Sequence, residues 1–259
     1  MAVRVEDPPL SDLGRQQAGE SGATFNPGEI DMIVCSPFLR CIQTADPIAA
    51  MCELPVCVEH GLWEVIWGDR GDWMACVEER RMYFPRVHPT YQSLHEPSMT
   101  EQFPQGLLSR CHSTIQLLLE ANPGKNLCLV THGAGVVAIV AALLGRRIQD
   151  VEPASPCGLY KLEEDSDGLW RPLVQNSTGH MSKLGETRAW PLKEKHLQYD
   201  IWAQQMLDAG AHPPGVGLSQ VNREMSQVHT HSFFQGCVFA QSCLSPLLRN
   251  HCPKSLVHH

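Results

Sequence analysis

Several familiar signals are scarce or missing in these 259 residues. Basic side chains are outnumbered, 20 Lys and Arg against 28 Asp and Glu, for a net charge of −8. Nucleic-acid-binding domains usually carry basic patches, so no nucleic-acid partner is expected. Neither Gly-x-Ser-x-Gly nor a P-loop occurs, which removes the usual signatures of serine hydrolases and nucleotide triphosphate sites. The 11 cysteines form no regular framework. Cys35–Cys41 and Cys52–Cys57 lack ligand-pair spacing, and His229, His231, Cys237, Cys243, His251 and Cys252 are irregularly placed. Structural zinc sites favour tight pairs, so no metal and no cofactor are expected. The opening MAVRVEDPPL is polar and proline-broken, which predicts no secretory leader. Reduced thiols in a cytoplasmic setting follow from that reading.

What is present centres on Asn126–Gly145, NLCLVTHGAGVVAIVAALLG. The run Leu127–Val130 fits one buried strand. Val136–Leu144 is apolar all round, as in a buried helix. A His and two glycines between them argue against a membrane span. Strand, small-residue turn and helix make half an α/β unit, and ligands in open α/β sheets bind outside the carboxyl ends of strands. His132 stands at such an end.

The rest of the pattern agrees with α/β. Ser11 caps a helix through Ala18. Ile30–Cys35 reads as a buried parallel strand, and a helix follows from about Phe38, with Pro47 expected to kink or end it. Pro55–Val58 is a short strand that leaves through His60–Glu64. Residues 65–105 lack a clear period and read as an insertion, with a short helix near Cys76–Tyr83. Gly106–Ala121 is amphipathic. Gly158–Leu162 and Leu169–Gln175 form a final strand pair around an Asp165–Gly168 turn. Three units are expected: a domain over 1–178, an extension over 179–209 with a helix at Leu192–Ala209, and a poorly ordered tail over 210–259.

Four pieces then fall into order: DPPLSDLGRQQA (Asp7–Ala18), SPFLRCIQTA (Ser36–Ala45), LWE (Leu62–Glu64) and THGAGVV (Thr131–Val137). Together they resemble the histidine phosphatase superfamily, and their local context is similar to its eukaryotic branch of ecdysteroid phosphatases and T-cell-signalling suppressors. The resemblance implies a three-layer α/β sandwich of the phosphoglycerate-mutase type with a mostly parallel sheet. It implies phosphomonoester hydrolysis through a phosphohistidine. In that scheme Arg40 binds the transferring phosphoryl group, for which a planar guanidinium is well shaped. His132 also touches the phosphoryl oxygens and serves catalysis. Glu64 matches the carboxylic acid that protonates the leaving oxygen, with Asp69 and Asp72 close enough in sequence to compete for the role.

One piece of the family pattern is missing. Its members begin with a strand ending in Arg-His-Gly, whose histidine is the nucleophile. No such triplet occurs in these residues, and no other histidine, whether His60, His88, His95 or His112, is placed in line by any motif. No nucleophile is therefore assigned. The expectation is a truncated domain lacking its first strand, with impaired turnover. The alternatives are a non-catalytic protein that binds phosphorylated ligands or partners, and a gene-model fragment with neither activity. A missing interior strand would leave two unpaired edges. The apolar tail segment Phe233–Ala240 is a minor candidate to fill the slot.

Overall fold

A computed structural model describes residues 7–64, 76–95, 105–184 and 235–241. Helix α1 (Asp12–Gly22) starts where Ser11 accepts the Gly14 N–H. Strand β1 (Met32–Cys35) leads into α2 (Leu39–Cys52), and β2 (Val56–Val58) runs parallel beside β1. A single 3-10 turn follows at His60–Leu62. Then come α3 (Val77–Tyr83), α4 (Gln105–Ala121), β3 (Asn126–His132), α5 (Gly133–Leu144), the hairpin β4 (Gly158–Glu164) and β5 (Trp170–Ser177), and β6 (Gln235–Gln241).

Strand order is β2-β1-β3-β6-β4-β5. The register is what places the site. Cys35 pairs with Val58 on one side and with Val130 on the other. The carboxyl ends of three parallel strands thus finish at one edge of the sheet. Side chains alternate along β1 and β3, because successive residues of a strand face opposite ways. Ile33, Cys35, Cys128 and Val130 face α2, packing with Phe38, Ile42, Ala45 and Ile48. Val34, Leu127 and Leu129 face α4 and α5, packing with Ile115, Leu118, Val136 and Ile139. This makes three layers, with a continuous apolar core on each side of the sheet.

Four expectations change. Pro47 does not end α2, which runs on to Cys52. Its buried face (Thr44, Ala45, Ile48, Ala49) is held by the core, and packing outweighs the hydrogen bond lost at proline. Helix α1 also closes on this point, since a Cβ on Gly22 would lie 2.9 Å from the Pro47 carbonyl carbon. Helix α5 begins at Gly133 rather than Val136, so the presumed loop is its first turn. Strand β3 continues through His132. Last, a segment of the tail takes a place in the sheet, where Phe233–Ala240 was only a minor candidate. Residues 235–241 form β6, antiparallel to β3 and parallel to β4, in an interior position. The physical reason is the cost of leaving the backbone donors and acceptors of two strand edges unpaired. The helix expected at Leu192–Ala209, the rest of the tail, and Asp69 and Asp72 lie outside the described residues.

Candidate active site

The three residues singled out from the motifs meet at the carboxyl edge. Arg40 sits in the first turn of α2, immediately beyond β1. Its Nη2 lies 3.1 Å from His132 Nδ1 and 3.3 Å from Glu64 Oε2, and His132 Nδ1 lies 3.2 Å from the same oxygen. Arg40 is 2 % exposed and His132 fully buried, whereas the Glu64 side chain is 20 % exposed. The cluster therefore has one side toward solvent, and that side is the carboxylate. Burial pushes the His132 imidazole down to about 4, with the Arg40 charge adding to the shift and Glu64 opposing it.

Each side chain is held by a separate device. Phe38 packs edge-on against the His132 ring at 5.1 Å between centroids, and the Arg40 guanidinium lies 4.6 Å over the same Phe38 ring. One aromatic side chain thus packs against both the guanidinium and the imidazole. Ser36 Oγ lies 2.8 Å from His132 Nε2. Cys41 faces the ring as well, 3.6 Å from Nε2, and burial pushes its thiol up to about 12. A buried thiol of that kind is inert rather than nucleophilic.

Glu64 depends on the loop that carries it. Thr131 donates to the Leu62 carbonyl at 2.7 Å. Arg110 of α4 donates to the Gly61 and Trp63 carbonyls at 2.8 and 2.9 Å. Glu59 accepts the Gly61 N–H at 3.0 Å and also the N–H groups of Leu94 and His95. Gly135 is needed here, because a Cβ on it would lie 2.8 Å from Thr131 Oγ1. The start of α2 is tied to the DPPL segment. Asp7 accepts the Leu39 N–H at 2.7 Å and pairs with Arg80, while Leu10 donates to Gln43 Oε1 at 2.7 Å. Asp7 and Phe38 inside the motifs, and Arg110 and Glu59 outside them, carry no signal of these roles, since apart from the Gly61 N–H on Glu59 their partners lie 32 or more residues away or act through rings.

The chemistry available is anion binding. Arginine offers a rigid fork of donors, His132 a ring nitrogen, and α5 starts at the next residue with free N–H groups in its first turn. Among the described residues no group of three or more His, Cys, Asp or Glu could hold a metal ion. None of the described helices is long and apolar enough to cross a membrane.

An arginine, a histidine and a carboxylate thus gather at the carboxyl ends of parallel strands in an α/β sandwich. Residues 2–178 match the Histidine phosphatase superfamily (branch 1), and the chain belongs to that family. It is 28% identical over 178 residues to the uncharacterized phosphatase PhoE of Bacillus subtilis, covering 68% of this chain and 86% of that one. It is 30% identical over 150 residues to the transcription factor tau 55 kDa subunit of Saccharomyces cerevisiae, covering 54% and 34%. It is 29% identical over 189 residues to the ecdysteroid-phosphate phosphatase of Drosophila melanogaster, covering 64% and 24%. The chain thus spans most of the bacterial relative, but only about a third of the yeast protein and a quarter of the fly protein.

Proposed function

We propose that Arg40, His132 and Glu64 receive the phosphoryl group of a phosphomonoester. The observation that carries this reading is the triangle of 3.1, 3.2 and 3.3 Å between Arg40 Nη2, His132 Nδ1 and Glu64 Oε2. Its third corner is itself an anion, and it is the only one of the three with appreciable exposure. A phosphoryl oxygen entering from solvent would replace the Glu64 oxygen beside Arg40 Nη2 and His132 Nδ1. Glu64, displaced from Arg40 and facing an anion, would take up a proton from solvent and then stand where a leaving alcohol oxygen needs one. The phosphatases among the relatives support this class of ligand.

Turnover in these 259 residues is proposed to be impaired. The covalent route splits one difficult step into two easier ones, and it needs a nucleophile in line with the leaving group. No Arg-His-Gly triplet supplies one. Binding of a phosphorylated ligand without hydrolysis is the second reading, favoured by that same lack.

Inorganic phosphate titrated into the purified chain, followed through the His132 imidazole resonances, tests the site. Expected is a dissociation constant in roughly the millimolar range. Arg40→Ala should weaken it about tenfold to a hundredfold, the worth of one charged hydrogen bond. Resonances that stay still at tens of millimolar (about ten times the expected constant), or move equally in Arg40→Ala, would sink the reading. An aryl phosphate should be turned over at no more than trace rates. Robust turnover that disappears with His132→Ala would overturn the impairment.

A further inference from the structure

We propose that Thr131 is a positioning residue for Glu64: its hydroxyl clips the Glu64 loop to the end of β3, so that an anion exchanges with the Glu64 side chain while the backbone before it stays in place. The effect on ligand binding rests on the function proposed above. The clip itself concerns the free protein.

Thr131 and His132 are neighbours in β3 and face opposite sides of the sheet. Thr131 shares the side of Leu127 and Leu129, toward α4 and α5. A Cβ on Gly135 of α5 would come to 2.8 Å from its Oγ1, which agrees with that placement. His132 is on the other side, with Phe38 and Arg40. The loop that carries Glu64 passes between these two sides. Leu62 belongs to the core that holds Leu129 and Ile115, under α4 and α5. The next residue, Trp63, belongs to the core that holds Phe38 and Ile42, under α2. The chain therefore crosses the carboxyl edge of the sheet at the Leu62–Trp63 peptide, and Glu64 emerges beside His132 and Arg40. Thr131 Oγ1 donates to the Leu62 carbonyl at 2.7 Å, at the crossing itself.

The flanking peptides are held as well. Arg110 Nη1 carries two hydrogens, and it donates to the Gly61 and Trp63 carbonyls at 2.8 and 2.9 Å. The carbonyls of Gly61, Leu62 and Trp63 are thus all taken by side chains that are themselves buried. Stripping a donor from a buried carbonyl is costly, whereas turning one glutamate side chain about its own bonds is not. Exchange of Oε2 for a phosphate oxygen is therefore a swing of one carboxylate, not an opening of the loop. The clip also holds that carboxylate against the site, with Oε2 3.2 Å from His132 Nδ1 and 3.3 Å from Arg40 Nη2. Loosening it lets Oε2 drift away, and Glu64 then competes less with an incoming anion.

Thr131→Val keeps the branched shape but puts a methyl group where the hydroxyl donates, and Thr131→Ser keeps the hydroxyl. Both are compared with the full-length wild type in two measurements. The first is amide hydrogen exchange at Gly61, Leu62 and Trp63, whose N–H groups bond to Glu59 and His60. In the wild type their protection should be the same with and without saturating inorganic phosphate. Protection lost on binding would mean that the loop opens, and would overturn the proposal. Thr131→Val should lose protection at Trp63 without any ligand, and an unchanged pattern there overturns the clip. The second measurement is phosphate affinity, read at the His132 imidazole. Thr131→Val should bind about twofold to fivefold tighter, part of the worth of a partly exposed ion pair. With Glu64→Gln already in place, the same change should alter affinity less than about twofold. An equal effect in both backgrounds would show a general loosening of the fold and not a hold on Glu64. Weaker binding in Thr131→Val, or a Thr131→Ser that behaves like it, also refutes the role. If Thr131→Val does not fold, Thr131→Ala takes its place in both measurements. A wild type that ignores phosphate sinks the anion site, and the exchange pattern of the variant then decides the clip alone.

Discussion

Two arginine–carboxylate pairs lie under the carboxyl edge of this sheet, and they differ in one respect. Arg80 and Asp7 are both sealed, with side chains 3 % and 1 % exposed. Arg40 is equally buried at 2 %, but its carboxylate, Glu64, is 20 % exposed. The sealed pair fastens the DPPL segment to the start of α2, where Asp7 also takes the Leu39 N–H. Its anion has no path out. The open pair has a carboxylate that reaches solvent, as the proposed exchange with another anion requires. On the proposed reading the same two functional groups make a fastening in one place and a binding site in the other, and solvent access decides which.

The comparison breaks first, and hardest, at the sealed pair. Burial raises the Asp7 carboxyl above its ordinary value, and the neighbouring Arg80 only partly offsets that. Such a pair is costly to bury yet costly to split. Asp7→Ala should destabilise the fold by about 3–5 kcal/mol, the usual result of removing one partner of a buried pair. Replacing both, Asp7→Leu with Arg80→Met, should cost much less, because two apolar side chains of similar volume need no charge compensation. Urea unfolding midpoints at constant slope measure both. Equal losses in the single and double variants would mean that the segment is held by something other than this pair.

Acid should separate the two clusters by sign. His132 has a folded value of about 4, below its ordinary 6.5. Above pH 6.5 the ring is neutral in both states, and the stability is fully present. Between about 6.5 and 4 the unfolded chain binds the proton more readily, so stability falls as pH falls. The full loss is on the order of 3 kcal/mol. Asp7 runs the other way. Its folded carboxyl is raised, so the folded state takes up its proton first, and the fold gains stability as pH falls through that raised value toward 3.8. Asp7→Asn should therefore steepen the acid loss, and His132→Asn should flatten it. Stability curves against pH for the three proteins check this, and parallel curves would refute it.

How much of this was legible in the sequence depends on how local each cause is. Arg40 and His132 could be read because short motifs after strands carry them, and the parallel register of Cys35 with Val130 does the rest. Glu64 was legible from its spacing. The Ser11 cap and the Asp165–Gly168 turn are contained in a few residues. Pro47 misled because its helix is held by Ile42, Ala45 and Ile48 in a core that no window of sequence displays. The early start of α5 was hidden because Gly133, Ala134 and Gly135 read as a turn. Strand β6 lies 57 residues beyond the end of β5, with residues 178–234 between them. Its place is decided by the edges of β3 and β4, and in the sequence only the apolar run Phe233–Ala240 pointed, as a minor candidate, to that slot. Phe38 and Ser36 stood inside a recognised motif without a role, because their contacts are with a ring 94 and 96 residues away in the chain.

The smallest expected effect lies at the open pair and sharpens the contrast most. Glu64→Gln keeps the size of the side chain and removes its charge. For stability the change should be within about 1 kcal/mol, since a partly exposed pair contributes little. That is several times less than the loss expected for Asp7→Ala. For ligand binding the sign should reverse. In the wild type the carboxylate competes with phosphate for Arg40 Nη2 and His132 Nδ1, which it contacts at 3.3 and 3.2 Å. It also repels an incoming anion. Relief of both should tighten inorganic phosphate binding about threefold to tenfold, equivalent to roughly 0.7–1.4 kcal/mol. Arg40→Ala on the same scale moves in the opposite direction. Weaker binding in Glu64→Gln would mean that Glu64 meets the anion as a protonated donor rather than a competitor. The open pair would then be a preformed part of the ligand's shell, and the distinction from Asp7 and Arg80 would rest on proton transfer instead of exchange.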